Sequence, residues 1–381
     1  MILIKNGYIN TMDGIIYENG YIIIENGKIK QVGDMADFAG GDFDEVYDAK
    51  GLYVMPGIID GHSHIGMEED SIGFAGDDIN EDTDPIQPHL RAIDAINPND
   101  KCFREGIEAG VTTSVTGPGS ANPIGGAFAA IKMHGKCVDD MIIKSPVAIK
   151  AAFGENTKQT YKEKGNTPVT RMGAAALIRE ALFKAKRYME KPGDFDMKSE
   201  ALIPVLKKEI PLKVHAHRLD DMATAVRIAK EFDINITLDH ATEGHIDTEF
   251  IKNAGCPVFI GPIMTDRNKP ELVNKDDAAA GILEKNGIRP ALITDHPEIP
   301  CQYIALQAAV AVKNGMSEKA TLEAITIVPA KGCGIDERVG SIKAGKDADI
   351  AVFTSVPTDT MSKTVYVFID GKCVLSRSKN E

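Results

Sequence analysis

What this sequence lacks narrows its function first. Its six cysteines, Cys102, Cys137, Cys256, Cys301, Cys333 and Cys373, form no Cys-x-x-Cys pair and no dense framework. That excludes a disulfide-stapled scaffold and predicts reduced thiols in a reducing compartment, none of them a metal ligand. No uninterrupted apolar run reaches membrane-spanning length, and the opening MILIKNGYIN has no basic region followed by an apolar stretch and a cleavage site. No membrane partner is expected, and the default location is cytoplasmic. Positive charge is also short: 43 Lys and Arg face 56 Asp and Glu, for a formal net charge of -13. That is the wrong sign for a general field attracting nucleic acid, so no nucleic-acid partner is expected. Glycine and proline, at 35 and 19 residues, are too ordinary for a collagen-like or disordered chain. The loop GPGSANPIGG at 117–126 lacks the Gly-Lys-Ser/Thr ending of a phosphate cradle, and no Gly-x-Ser-x-Gly elbow marks a serine nucleophile.

What is present is enough apolar residue, 43% of 381, to bury one large α/β barrel and a smaller unit. From Ile2 to about Tyr47, and again from about Val339, short runs alternate apolar and polar residues between Asn-Gly, Asp-Gly and other glycine turns. Those are strand and hairpin signals. Residues 1–54 and 338–381 are therefore expected to pair into one small β-sandwich. Between them lie eight strand candidates, GIIDGHSH, GVTTSVTG, AFAAIKMHG, SPVAIKAAF, LKVHAH, ITLDH, PVFIG and PALITDH. Helical patterns such as MGAAALIREALFKAKRYMEK and DDMATAVRIAKEF separate several of them. Such alternation predicts parallel strands with crossover helices, and the count favours a closed (β/α)8 TIM-like barrel over residues 55–337. Only about ten residues separate the third candidate from the fourth, close to the lower limit for a crossover.

The chemistry concentrates at strand ends. His62 and His64 are two apart after VMPGIID, so on a strand both imidazoles face one side and can share an ion. His215, His240 and Asp295 each end a later strand candidate, where a barrel places its active site. Seven of the nine histidines, at 62, 64, 215, 217, 240, 245 and 296, lie at or just beyond these ends. His and Asp are ordinary ligands for Zn²⁺ and similar ions, and water bound to such an ion is a nucleophile at neutral pH.

PGIIDGHSH, the VHAH, LDH and TDH strand ends, and the closing PAKGCGIDERVGSIKAGKDADIAVF together resemble the amidohydrolase superfamily, over nearly the whole chain. They look most like its imidazolonepropionase-related and metal-dependent dipeptidase branches. The resemblance implies one or two divalent ions, with His62 and His64 on the more buried ion and His215 and His240 on the more exposed one. Asp295 would bind metal and shuttle the proton. Lys150, in PVAIKAAFG, matches the lysine that binuclear members carboxylate with CO₂; Glu155 is the rival acidic ligand and would favour a single ion. His217 faces the same side as His215 and is expected to touch substrate or sit behind the ligands rather than bind metal. His245 is either a leaving-group contact or a surface residue, and His296 should point away. The expected reaction is hydrolysis of an amide, cyclic amide, small dipeptide or N-acyl amino acid by metal-activated water. A mononuclear ring deaminase is the alternative, and a non-catalytic binding barrel is the reading from another class. The partner is a small-molecule substrate, with a homo-oligomer possible. A cationic substrate group would suit the acidic connection with Asp77, Asp78, Glu81 and Asp84, which is equally explained as a solvated face.

Overall fold

The alternating runs at the two ends of the chain pair with one another. In the computed structural model, which describes residues 1–69, 72–191 and 193–377, five strands open the chain: β1 (Ile2–Asn10), β2 (Ile16–Glu25), β3 (Lys28–Asp34), β4 (Glu45–Asp48) and β5 (Tyr53–Pro56). Asp70 and Ser71 of the acidic connection, Pro192, and residues 378–381 of the tail lie outside the described residues. Eight central strands follow: β6 (Ile58–Ser63), β7 (Val111–Thr116), β8 (Ile124–Lys132), β9 (Ile142–Ala152), β10 (Leu212–Ala216), β11 (Ile236–His240), β12 (Val258–Ile260) and β13 (Ala291–Leu292). The chain closes on β14 (Ile350–Phe353), β15 (Thr364–Ile369) and β16 (Lys372–Ser376).

The terminal strands form one hydrogen-bonded sheet in the order β16-β15-β14-β5-β1-β2-β3, with β4 alongside the first half of β1. The β2–β3 turn places Asn26 and Gly27 at φ 51 and 76, the left-handed pair that a tight hairpin requires. The sheet folds over a core of Ile4, Ile9, Ile22, Ile24, Val54, Ile350 and Phe368. The β2–β3 hairpin also meets the chain leading into β14, where Ile29 N–H donates to Lys346 O (2.9 Å) and Ala348 N–H to Gly27 O (2.9 Å).

The central strands follow one another around the second sheet in sequence order, from β6 to β13. All pair in parallel except β8, which is antiparallel to both β7 and β9. This corrects the expectation of eight parallel strands, and connection length is the reason. Residues 117–123 join β7 to β8, and residues 133–141, with only the short helix Val138–Met141, join β8 to β9. A parallel crossover needs about a dozen residues or more. Elsewhere the crossovers are helical. Arg171–Glu190 buries Ala174, Ile178, Ala181, Leu182 and Ala185 at three- and four-residue spacing, and the Thr170 side chain caps its start by accepting from Gly173 N–H.

β13 is two residues long, so the ring closes through the irregular chain just beyond it. Asp295 N–H donates to His62 O (3.1 Å) and His64 N–H to His296 O (2.8 Å). The barrel and the terminal sheet are joined by a buried charge cluster. Lys132, at the end of β8, reaches Asp347 (2.8 Å), Asp349 (2.6 Å) and Asp370 (3.2 Å), while Lys28 and Arg338 also engage Asp347. Burial pulls the Lys132 ammonium down, but the three carboxylates outweigh it and hold its pKa above the ordinary lysine value.

Candidate metal centre

Each site residue stands where a strand leaves the barrel, and neighbouring groups fix most of the imidazoles. His62 Nδ1 pairs with Asp239, which also accepts from Thr237 Oγ1 (2.7 Å) and pairs with Lys213 Nζ (2.8 Å). The Nδ1 atoms of His64 and His240 lie 2.6 Å from Gly117 O and 2.9 Å from Gly261 O. Carbonyl oxygens only accept, so both rings carry hydrogen on Nδ1 and turn an Nε2 lone pair inward. The His217 Nδ1 is engaged by Thr242 Oγ1 (2.7 Å).

The inward atoms fall into two lobes. His62, His64 and Asp295 form one; His215, His217 and His240 form the other; within each, the ligating atoms lie within 4.8 Å of one another. Asp295 Oδ1 is 3.4 Å from His62 Nε2 and 3.3 Å from His64 Nε2, and Lys150 Nζ is 3.2 Å from His62 Nε2. The Nε2 atoms of His215 and His240 and the Oε1 of Glu271 are buried without a hydrogen-bond partner among the described residues. Unpartnered buried acceptors are costly, and here several face one space. A bound cation would satisfy them together, so the donor set fits divalent metal.

Burial sets the charge states. It depresses His62, His215 and His240 well below the ordinary histidine value and brings His217 to about 4. All four are therefore neutral at pH 7, the ligating form. Burial pushes the Asp295 carboxyl up, but His240, His64 and Lys150 outweigh it and hold it well below the ordinary carboxylate range. Burial also pulls Lys150 down to about 8, against the opposing charges of Asp295 and Asp239, so a usable fraction of neutral amine exists near neutral pH.

Two of the strand ends carry uncommon backbone. His240 (φ 71), Ala241 (φ 43) and Asp295 (φ 54) occupy the left-handed region, a conformation that costs free energy and collects at functional sites. Thr294 and Asp60 help to hold the second of these turns, since the buried Asp60 carboxylate accepts both the hydroxyl and the N–H of Thr294. Between His217 and Asp295, with Thr242, Gly261, Lys269 and Glu298 on its walls, lies a cavity of about 20 Å³, enough for one water.

The structure thus brings together His62, His64, Lys150, His215, His217, His240 and Asp295. It does not bring the Glu155 carboxylate into either lobe. Glu155 opens the helix Glu155–Glu163, and its backbone N–H donates to Glu271 Oε2 (3.0 Å). His245 is half-buried, bonds to Thr242 O (3.0 Å) and joins neither lobe. The His296 Nδ1 accepts from Cys301 N–H (3.3 Å). Of the acidic connection, Asp84 pairs with Lys198 (2.7 Å), and Asp82, its neighbour in that loop, with Lys164 (2.8 Å). Gly117, in the glycine-rich loop, supplies the carbonyl that orients His64.

Three participants escaped the sequence reading: Asp239, Lys213 and Glu271. Asp239 had a signal. It shares a strand face with Thr237, and its side chain reaches back beneath His62. Glu271 lies in the loop after β12, where no periodicity marks it.

The profile of the Amidohydrolase family matches residues 53–374. Among curated proteins, this chain is similar to Amidohydrolase tasK of Hapsidospora irregularis, 30% identical over 387 residues, with 92% of this chain and 39% of that protein covered. It is also similar to a dihydroorotase of Elusimicrobium minutum (strain Pei191), 26% identical, with 92% and 87% covered. The chain thus spans well under half of the first relative and most of the second. Among solved structures, that of an amidohydrolase from Thermotoga maritima MSB8 superposes with a TM-score of 0.95 at 39% identity, covering 99% of this chain and 100% of that one.

Proposed function

Because this chain belongs to the amidohydrolase family, we propose that it hydrolyses the C–N bond of a small amide, in a ring, a dipeptide or an N-acyl amino acid. The reaction would take place at a centre held by His62, His64, Lys150, His215, His240 and Asp295. The observation that carries this reading is the pairing of two adjoining donor groups, His62 and His64 around an ionised Asp295 and His215, His217 and His240 beside them, with the Nε2 atoms of His215 and His240 buried and without a hydrogen-bond partner among the described residues. Divalent ions bound there, Zn²⁺ being the natural candidate for such donors, supply Lewis acidity and make water acidic near neutral pH.

The chain's own residues do the rest. Asp295 takes the proton of the attacking water on its carboxylate and passes it to the departing nitrogen. The neutral fraction of the buried Lys150 amine would combine with CO₂, a nitrogen–carbon bond forming as a proton leaves, and the resulting carbamate would supply the anionic oxygens that an amine lacks. Asp239 holds hydrogen on His62 Nδ1 and so keeps the Nε2 lone pair aimed inward. His217, on the wall of the small cavity, meets the substrate.

Substitution Asp295→Asn tests the assignment, assayed on a panel of dipeptides, N-acyl amino acids and cyclic amides. Turnover should fall by about 10²–10⁴-fold, the usual contribution of a general base, with metal largely retained. Near-normal turnover would remove Asp295 from that role.

A further inference from the structure

The His-Ala-His at the end of β10 places one more imidazole in the second lobe than the expected ligand set uses. The His217 ring centre is 4.7 Å from those of both His215 and His240. With its Nδ1 held by Thr242, its Nε2 is left for the lobe. Facing it is the buried Glu271, whose Oε1 lies 3.7 Å from His217 Nε2 and 3.9 Å from His215 Nε2. That oxygen has no hydrogen-bond partner among the described residues, although Lys269 Nζ stands 3.9 Å away. The other oxygen is held by Glu155 N–H (3.0 Å) in a niche that only glycine leaves open, because a Cβ on Gly154 would come within 2.7 Å of it. Glu271 is thus a positioned anion with one unused oxygen. Tetrahedral ligands at about 2.0–2.1 Å from an ion sit roughly 3.3 Å apart, so the two Glu271 separations need to contract by about half an ångström, and the three imidazole nitrogens, within 4.8 Å of one another, must draw in around the ion as well. Lys150, by contrast, leans on the first lobe, against His62.

We infer that the second lobe is a metal site complete in itself, in which His215, His217 and His240, with Glu271 as fourth donor, hold a divalent ion without help from Lys150. The inference rests on the metal-hydrolase reading above and alters it in one respect: His217 becomes a ligand rather than a substrate contact. Occupancy of the second lobe then does not depend on carboxylation. The carbamate links two lobes, each of which binds its own ion.

The test uses the full chain, stripped by chelator and re-equilibrated with Zn²⁺, with metal content and competition against a chromophoric chelator as readouts. Lys150→Met should retain the second-lobe ion. Adding His217→Gln or Glu271→Gln to that variant should weaken Zn²⁺ binding there by roughly tenfold or more, given three remaining donors. If His217→Gln leaves the binding of the Lys150→Met protein unchanged, the inference is overturned while the metal-hydrolase reading stands. If the wild-type chain takes up no stoichiometric ion, both fall. Should Lys150→Met fail to fold, the wild-type protein loaded with Co²⁺ decides alone. Its proton spectrum carries one paramagnetically shifted N–H signal for each ligating imidazole that bears one. Loss of such a signal in His217→Gln supports the assignment, and an unchanged set overturns it.

Discussion

Replacing Asp239 separates two jobs that one carboxylate performs. It neutralises Lys213, whose side chain is 1% exposed, and it fixes the His62 ring. In Asp239→Ala the Lys213 ammonium is left buried without its partner, and breaking such a pair from one side costs about 3–5 kcal/mol. With an unfolding entropy of about 2.1 cal/mol/K per residue, the 381 residues correspond to about 0.8 kcal/mol/K. The metal-free variant should therefore melt about 4–6 °C lower. Lys213→Met added to Asp239→Ala removes the stranded charge and should recover most of that loss, because replacing both members of a buried pair is often neutral. Metal affinity should behave differently. His62 loses the acceptor on Nδ1 in both variants, so binding should weaken about 10–100-fold in each. Scanning calorimetry of the metal-free proteins and chelator competition of the loaded ones give the two readouts. A double variant that melts no higher than Asp239→Ala would refute the charge argument. One that regains wild-type metal affinity would show that Asp239 acts through Lys213 and not through His62.

The charge cluster between barrel and terminal sheet predicts a pH effect. Burial pushes the Asp347 carboxyl up, but Lys132, Lys28 and Arg338 outweigh it and bring it from 3.8 to about 2. A lowered folded-state value stabilises the protein above the unfolded value, and this contribution is lost as pH falls from about 4 to 2. In Lys132→Met that acid-sensitive step should shrink, alongside a loss of about 3–5 kcal/mol at neutral pH from the uncompensated aspartates; melting temperature against pH measures both. Gly154 sits at φ +92 beside Glu271 Oε2, so Gly154→Ala should cost about 1–3 kcal/mol, read as a melting shift of about 1–4 °C. Chelation should lower the melting temperature by about 3 °C per ion, since a ligand at 100 times its Kd contributes about 2.7 kcal/mol. A chain whose melting is indifferent to chelator would contradict the metal assignment.

Much of the site was legible because it follows strand periodicity. The two-residue spacing of His62 and His64, and the placement of Lys150, His215, His240 and Asp295 at or near strand ends, appear in the sequence as residue types in register with apolar runs. The direction of β8 was also encoded, in connections too short for a crossover, but the strand count alone masked it. The one signal that Asp239 carried, a strand face shared with Thr237, was masked by its neighbour. Strict alternation sends Asp239 and His240 to opposite faces, yet the left-handed backbone at His240 lets both serve the same centre. Glu271 was beyond sequence reasoning, because its role depends on the start of a helix more than a hundred residues earlier and on a glycine beside it.

The closure of the barrel has a consequence for when activity can arise. The bonds that shut the ring, Asp295 N–H to His62 O and His64 N–H to His296 O, join backbone groups of three residues proposed to grip one ion, and of His296 beside them. They connect the first and last barrel strands, contacts of the longest sequence separation in the ring and therefore among the most expensive in loop entropy. A chain with that seam unzipped holds half of the first lobe on one edge and half on the other. If the proposed site is the catalytic one, chemistry is thereby withheld from incomplete conformers, turnover would report that folding has finished, and metal captured at the seam would slow its reopening.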